Sequence, residues 1–122
     1  MNHDEEYKRL CKSTVQLMKS GPGRIAVPGS STWGTFWTYS KQVIIKPYQM
    51  PTDVDELQTH VMEIVSFLII LKQTFNRHRN TCKQREALDV ICSDINVLIT
   101  GFMGLLEKYY ASRFPSDDVR TS

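Results

Sequence analysis

The sequence predicts a mainly α-helical protein, a three-helix bundle in which two long helices run antiparallel. Three observations predict it. Two long segments, about 53–77 and 82–112, carry apolar residues at three-to-four spacing. A shorter segment of the same kind, about 4–19, precedes them. One stretch alone has strand character, and a lone strand is not stable.

The first helix is expected over 4–19, where Tyr7, Leu10, Thr14, Leu17 and Met18 share a face. Asp4, Glu5 and Glu6 fall in the first turn, where the helix dipole favours anions. "SGPG" at 20–23 is expected to stop it. Residues 24–47 read as an extended aromatic or β segment. Within it "FWTYSKQVII" alternates in part, Trp37, Tyr39, Val43 and Ile45 sharing one parity that Lys41 interrupts.

The second helix, 53–77, has Val54, Leu57, Val61, Ile64, Val65, Leu68, Leu71 and Phe75 on one face. Thr52 or Asp53 supplies its N-cap, and Asp53 and Glu56 stand in capping-box relation. Met62, Phe67, Ile69 and Ile70 lie off the main face, so the middle of this helix is expected to be buried on more than one side. "NRHRNT" turns the chain at 76–81, and Thr81 with Gln84 fits a capping box for the third helix, 82–112. Its stripe is Leu88, Ile91, Ile95, Leu98, Phe102, Leu105 and Tyr109. Gly101 and Gly104 interrupt it, which implies close approach of another group or a kink, since glycine costs up to ~1 kcal/mol in a helix.

At 122 residues, residues 1–114 are expected to form a single domain and 115–122 a disordered tail. The N-terminus is charged rather than leader-like, and the longest strongly apolar run, "IVSFLIIL", has eight residues, so no membrane span is expected. Cys11, Cys82 and Cys92 make an odd set without a CxxC pair, which points to the cytoplasm or nucleus.

The chemistry-bearing residues argue against an enzyme. There is no nucleophile elbow, phosphate-binding loop or HExxH. Asp53, Asp55 and Glu56 sit at a helix N-terminus, where capping accounts for them. His60 flanks the apolar stripe. His78 and Cys82 offer two metal ligands where a structural zinc needs four, so neither metal nor cofactor is expected.

Binding is the remaining class. Small helical proteins without a catalytic constellation act as adaptors or assembly factors, whether a host adaptor or a small viral accessory factor. The apolar surplus on both long helices points to a homodimer. Trp33, Phe36, Trp37, Tyr39 and Tyr48 are the expected contacts for a protein partner, because Trp and Tyr dominate interface hot spots. The alternative is a factor for single-stranded RNA or DNA. Residues 7–52 contain no Asp or Glu, and neither does the basic turn 76–85. In that reading Lys41, Lys46, Arg77, Arg79, Lys83 and Arg85 hold phosphates while the aromatic rings stack on bases.

"LDVICSDIN", Leu88 to Asn96, resembles the BH3 motif of Bcl-2-family proteins, with Leu88, Ile91 and Ile95 at the motif's apolar spacings. It departs where the motif's small residue and aspartate would fall on Cys92 and Ser93, Asp94 coming one place late. An amphipathic helix alone produces this pattern, and no family is named for the chain.

Overall fold

The computed structural model of the chain describes residues 3–24, 34, 37, 38, 50–80 and 83–113. The protein is mainly helical, with three helices and no strand among the described residues. Helix α1 is His3–Arg24, α2 is Val54–Arg77 and α3 is Arg85–Arg113. Helix α3 lies against both of the others.

Helix α1 continues one turn beyond the expected stop at Ser20. Pro22 lacks the N–H that would bond four residues back, yet it falls in the last turn of the helix. Only one intrahelical bond is lost there, so a proline in the last turn leaves the rest of the helix intact.

Asp53 caps α2. Its backbone is extended, its carboxylate accepts from the Glu56 N–H at 3.0 Å, and its carbonyl accepts from the Leu57 N–H at 2.9 Å. Every interior position of the expected stripe, Leu57 through Phe75, is buried. Helix α3 begins later than the capping box implied. The Gln84 carbonyl accepts from the Leu88 N–H at 2.9 Å, so Gln84 stands just before the helix instead of inside its first turn. Thr81, the other half of that box, lies outside the described residues. The Arg85 guanidinium donates to the Asn80 carbonyl and Arg79 pairs with Asp89, which ties the turn to the new helix start.

Three contacts set the register of α2 on α3. The Tyr110 hydroxyl donates to Gln58 Oε1 at 2.6 Å, Lys72 Nζ donates to Asn96 Oδ1 at 2.8 Å, and Cys92 Sγ lies 3.9 Å from Asn76 Oδ1. Each step forward on α2 is matched by an equal step back on α3, so the pair is antiparallel in constant register. Tyr109 closes the far end by donating to the Thr52 carbonyl at 2.9 Å.

Helix α1 lies along α3 on the side away from that seam. Lys108 Nζ is 3.3 Å from Glu6 Oε1, and Leu10 packs directly over Gly101. Between the three helices sit Tyr7, Leu10, Leu57, Ile64, Leu68, Leu71, Phe75, Leu88, Ile91, Ile95, Phe102 and Leu105, all essentially without solvent exposure. Thr14, fully buried, satisfies its hydroxyl on the Leu10 carbonyl at 2.8 Å.

The extended segment expected over 24–47 lies largely outside the described residues. Gly34, Trp37 and Thr38 are described, and they are helical. The Thr38 hydroxyl donates to the Gly34 carbonyl four residues back, a helical spacing that departs from the expected alternation. The expected tail, 115–122, also lies outside the described residues.

Candidate interaction surface

One expectation from the sequence changes here. Helix α2 was expected to be buried on more than one side, but within one chain it buries a single face. Met62 is 39% exposed, Ile69 40% and Ile70 57%. At 100° per residue, Met62, Ser66 and Ile70 point away from the Leu57–Phe75 stripe and project from the bundle. A shallow groove runs along this face past Thr59, Glu63 and Phe67. On α3, Val90, Val97 and Met103 are exposed as well, Val97 by 65%.

Charge is graded along α2. Asp55 and Glu56 stand in its first turn and Glu63 follows, while Lys72 and Arg77 occupy its second half. Acids at a helix N-terminus and bases at its C-terminus both complement the macrodipole.

A second hollow, about 310 Å³, opens between α1 and α3. The buried Leu17 and Leu98 line it together with the exposed Val97, Arg9, Gln16 and Asp94. Two small residues of α1, Ser13 and Ser20, also line it.

The site residues read from the sequence separate into two groups. Trp33, Phe36, Tyr39 and Tyr48, with Lys41 and Lys46, lie outside the described residues. Trp37 is half-buried and packs against the core. In the basic turn, Arg77, Lys83 and Arg85 are exposed, which gathers their charge at one end of the α2–α3 hairpin. Arg79 spends its charge on Asp89, and Arg77 donates to the Thr74 hydroxyl at 3.3 Å. The outward face of α2 was not singled out as a site in the sequence. Its signal was the run of apolar residues off the main stripe, which read as burial on a second side and as part of the apolar surplus behind the expected homodimer.

One buried polar group set spans α1 and α2. The Tyr7 and His60 rings lie 6.0 Å apart, and Cys11 is beside Tyr7. Burial pushes the Tyr7 phenol above its ordinary range and the Cys11 thiol up to about 12. Burial also lowers the His60 imidazole, against the opposing pull of Glu63. Tyr7 Oη has only the weakly hydrogen-bonding thiol of Cys11 beside it, and His60 Nε2 has no hydrogen-bond partner among the described residues. A thiol held protonated is a poor nucleophile and a poor metal ligand. Burial raises Cys92 too, with Arg79 pulling it down and Asp89 pushing it up. Among the described residues no group of three His, Cys, Asp or Glu converges on one point.

By length and composition alone α3 is apolar enough to cross a bilayer, a property that the eight-residue apolar run did not reveal. In this fold its stripe from Leu88 to Tyr109 is buried against α1 and α2, and a core helix meets the same criterion.

The class these features define is a mainly helical protein with an apolar outward helix face. No protein-family model matches the chain. No curated protein and no solved structure matches it either.

Proposed function

We propose that this chain is a non-enzymatic interaction protein, an adaptor or assembly factor, that binds other protein chains through apolar helix faces and forms a homodimer. The observation that carries the reading is the exposure of Met62, Ile69 and Ile70 together on α2. Single exposed apolar residues are ordinary, but a contiguous set framed by polar groups marks a contact surface. The raised thiols of Cys11 and Cys92 support a role without chemistry, since neither is set up for nucleophilic work. The connector between α1 and α2, bearing Trp33, Phe36, Trp37, Tyr39 and Tyr48, is proposed as a second contact element.

Sedimentation equilibrium tests the reading. A dimer is expected at ~100 µM chain, a concentration at which a micromolar dimer persists. Single-stranded RNA titrated at ~50 mM salt is expected to show no saturable binding. Binding that falls steeply with salt would instead establish the nucleic-acid reading based on the turn cations.

A further inference from the structure

We infer that two copies of this chain pair through α2, antiparallel, about a two-fold axis passing beside Ser66. This rests on the homodimer proposed above and specifies its geometry. Along the outward face, the residues are arranged symmetrically in chemistry about that serine. Met62 and Ile70 lie four residues to either side of it, Thr59 and Gln73 seven, and Asp55 and Arg77 eleven. All of them are exposed.

An antiparallel two-fold brings each position level with its mate in the second copy. Ser66 meets Ser66, and its small side chain lets the two backbones approach. Met62 meets Ile70 and, on the same edge, Ile69, which removes the most exposed apolar residues of α2 from water. Thr59 stands by Gln73 in a polar ring around that centre. At each end Asp55 of one copy faces Arg77 of the other, so the charge gradient along α2 becomes self-complementary. The two helix dipoles oppose one another as well, each N-terminus lying beside a C-terminus. A parallel pairing would set Asp55 on Asp55 and Arg77 on Arg77. Glu63 sits at the edge of the stripe, where its stem runs past Ile70 of the second copy and its carboxylate stays in water. The interface is isologous, the arrangement a two-fold requires.

Cysteine cross-linking tests the register. Helix axes about 8–10 Å apart put two facing Cα atoms about 3.4–5.4 Å apart, and the wider half of that span is within disulfide range. In a C82S background, S66C is expected to form a covalent dimer under mild oxidation. T59C is not, because its two copies lie about 21 Å apart along the helix. Charge reversal is the second arm: D55R and R77D each weaken dimerisation about tenfold, and the double variant recovers it. Positions 55, 59, 66 and 77 are exposed, and circular dichroism verifies folding. A dimer that ignores both charge reversals and does not cross-link at position 66 overturns this geometry while leaving the homodimer standing. A chain that stays monomeric at ~100 µM overturns both, and the face then belongs to an unlike partner.

Discussion

Leu10 fills the space that a side chain at Gly101 would occupy: a Cβ built on Gly101 would stand 2.6 Å from Leu10 Cδ2. The contact fixes where α1 crosses α3. It also explains why glycine, unfavourable in a helix interior, stands at this position. Gly104, one turn on, meets nothing within 4 Å, and nothing in the structure explains it.

The two glycines therefore respond differently to alanine. Gly104→Ala is expected to raise stability by ~0.5–1 kcal/mol through helix propensity alone. Gly101→Ala gains the same propensity but displaces Leu10, which is 2% exposed. The displaced methyl is the end of a flexible side chain bordering the hollow between α1 and α3, so the loss is partial. Gly101→Ala should come out ~1 kcal/mol below Gly104→Ala in urea unfolding. Combining it with Leu10→Ala should remove that difference, which a double-mutant cycle reads directly.

The ion pairs of α1 are unequal. Glu6 is 8% exposed and reaches Lys108 at 3.3 Å and Arg9 at 3.9 Å. Lys8 and Asp4, 3.3 Å apart, are both about half exposed. Lys108→Met leaves a largely buried carboxylate with its more distant cation and is expected to cost ~1 kcal/mol or more. Lys8→Met should change stability by no more than ~0.5 kcal/mol. Equal effects in chemical denaturation would mean that the burial of Glu6 does not matter.

His60 gives stability a pH dependence of defined sign. Its folded pKa is lower than its unfolded value near 6.5, so the unfolded chain takes up the proton first. Its contribution is complete above about pH 6.5 and is lost as pH falls from there through the folded value. His60→Gln should flatten that acid limb. At the alkaline side the sign reverses. Cys11, raised to about 12, contributes fully below its ordinary value of 9.0 and loses that contribution as pH rises toward 12. Alkylation at pH 8 followed by mass spectrometry should leave Cys11 and Cys92 unmodified until urea unfolds the chain.

Trp37 packs against the core while half-buried, so Trp37→Ala is expected to cost ~1–2 kcal/mol, below the ~3–5 of a fully buried ring. Thermal unfolding followed by circular dichroism gives the shift. An unchanged midpoint would mean that the ring contributes nothing to folding.

The main stripes of α2 and α3 were legible because a core-facing helix writes its burial into three-to-four spacing. All seven residues of the α3 stripe, from Leu88 to Tyr109, are buried. Asp53 as a cap was legible for the same local reason, since a carboxylate accepting from an N–H three residues on is a neighbour in sequence. The continuation of α1 past Ser20 was not, because glycine and proline mark a helix end only as a local tendency, and one missing bond in the last turn does not stop the helix. Met62, Ile69 and Ile70 read as buried, by the bundle or by a second copy, because apolar character says that a residue favours burial without saying what buries it.

The sequence by itself determined the three main helical segments and which stripe of each long helix turns inward, because periodicity is local and repeats along the chain; it read the helical residues Gly34, Trp37 and Thr38 as extended. Only the tertiary structure decided the rest. It placed α1 on α3 through Leu10 and Gly101, left Met62, Ile69 and Ile70 facing solvent, and set Arg79 on Asp89. Each of these depends on which helix lies beside which, and residues far apart in the chain carry no periodic record of that choice.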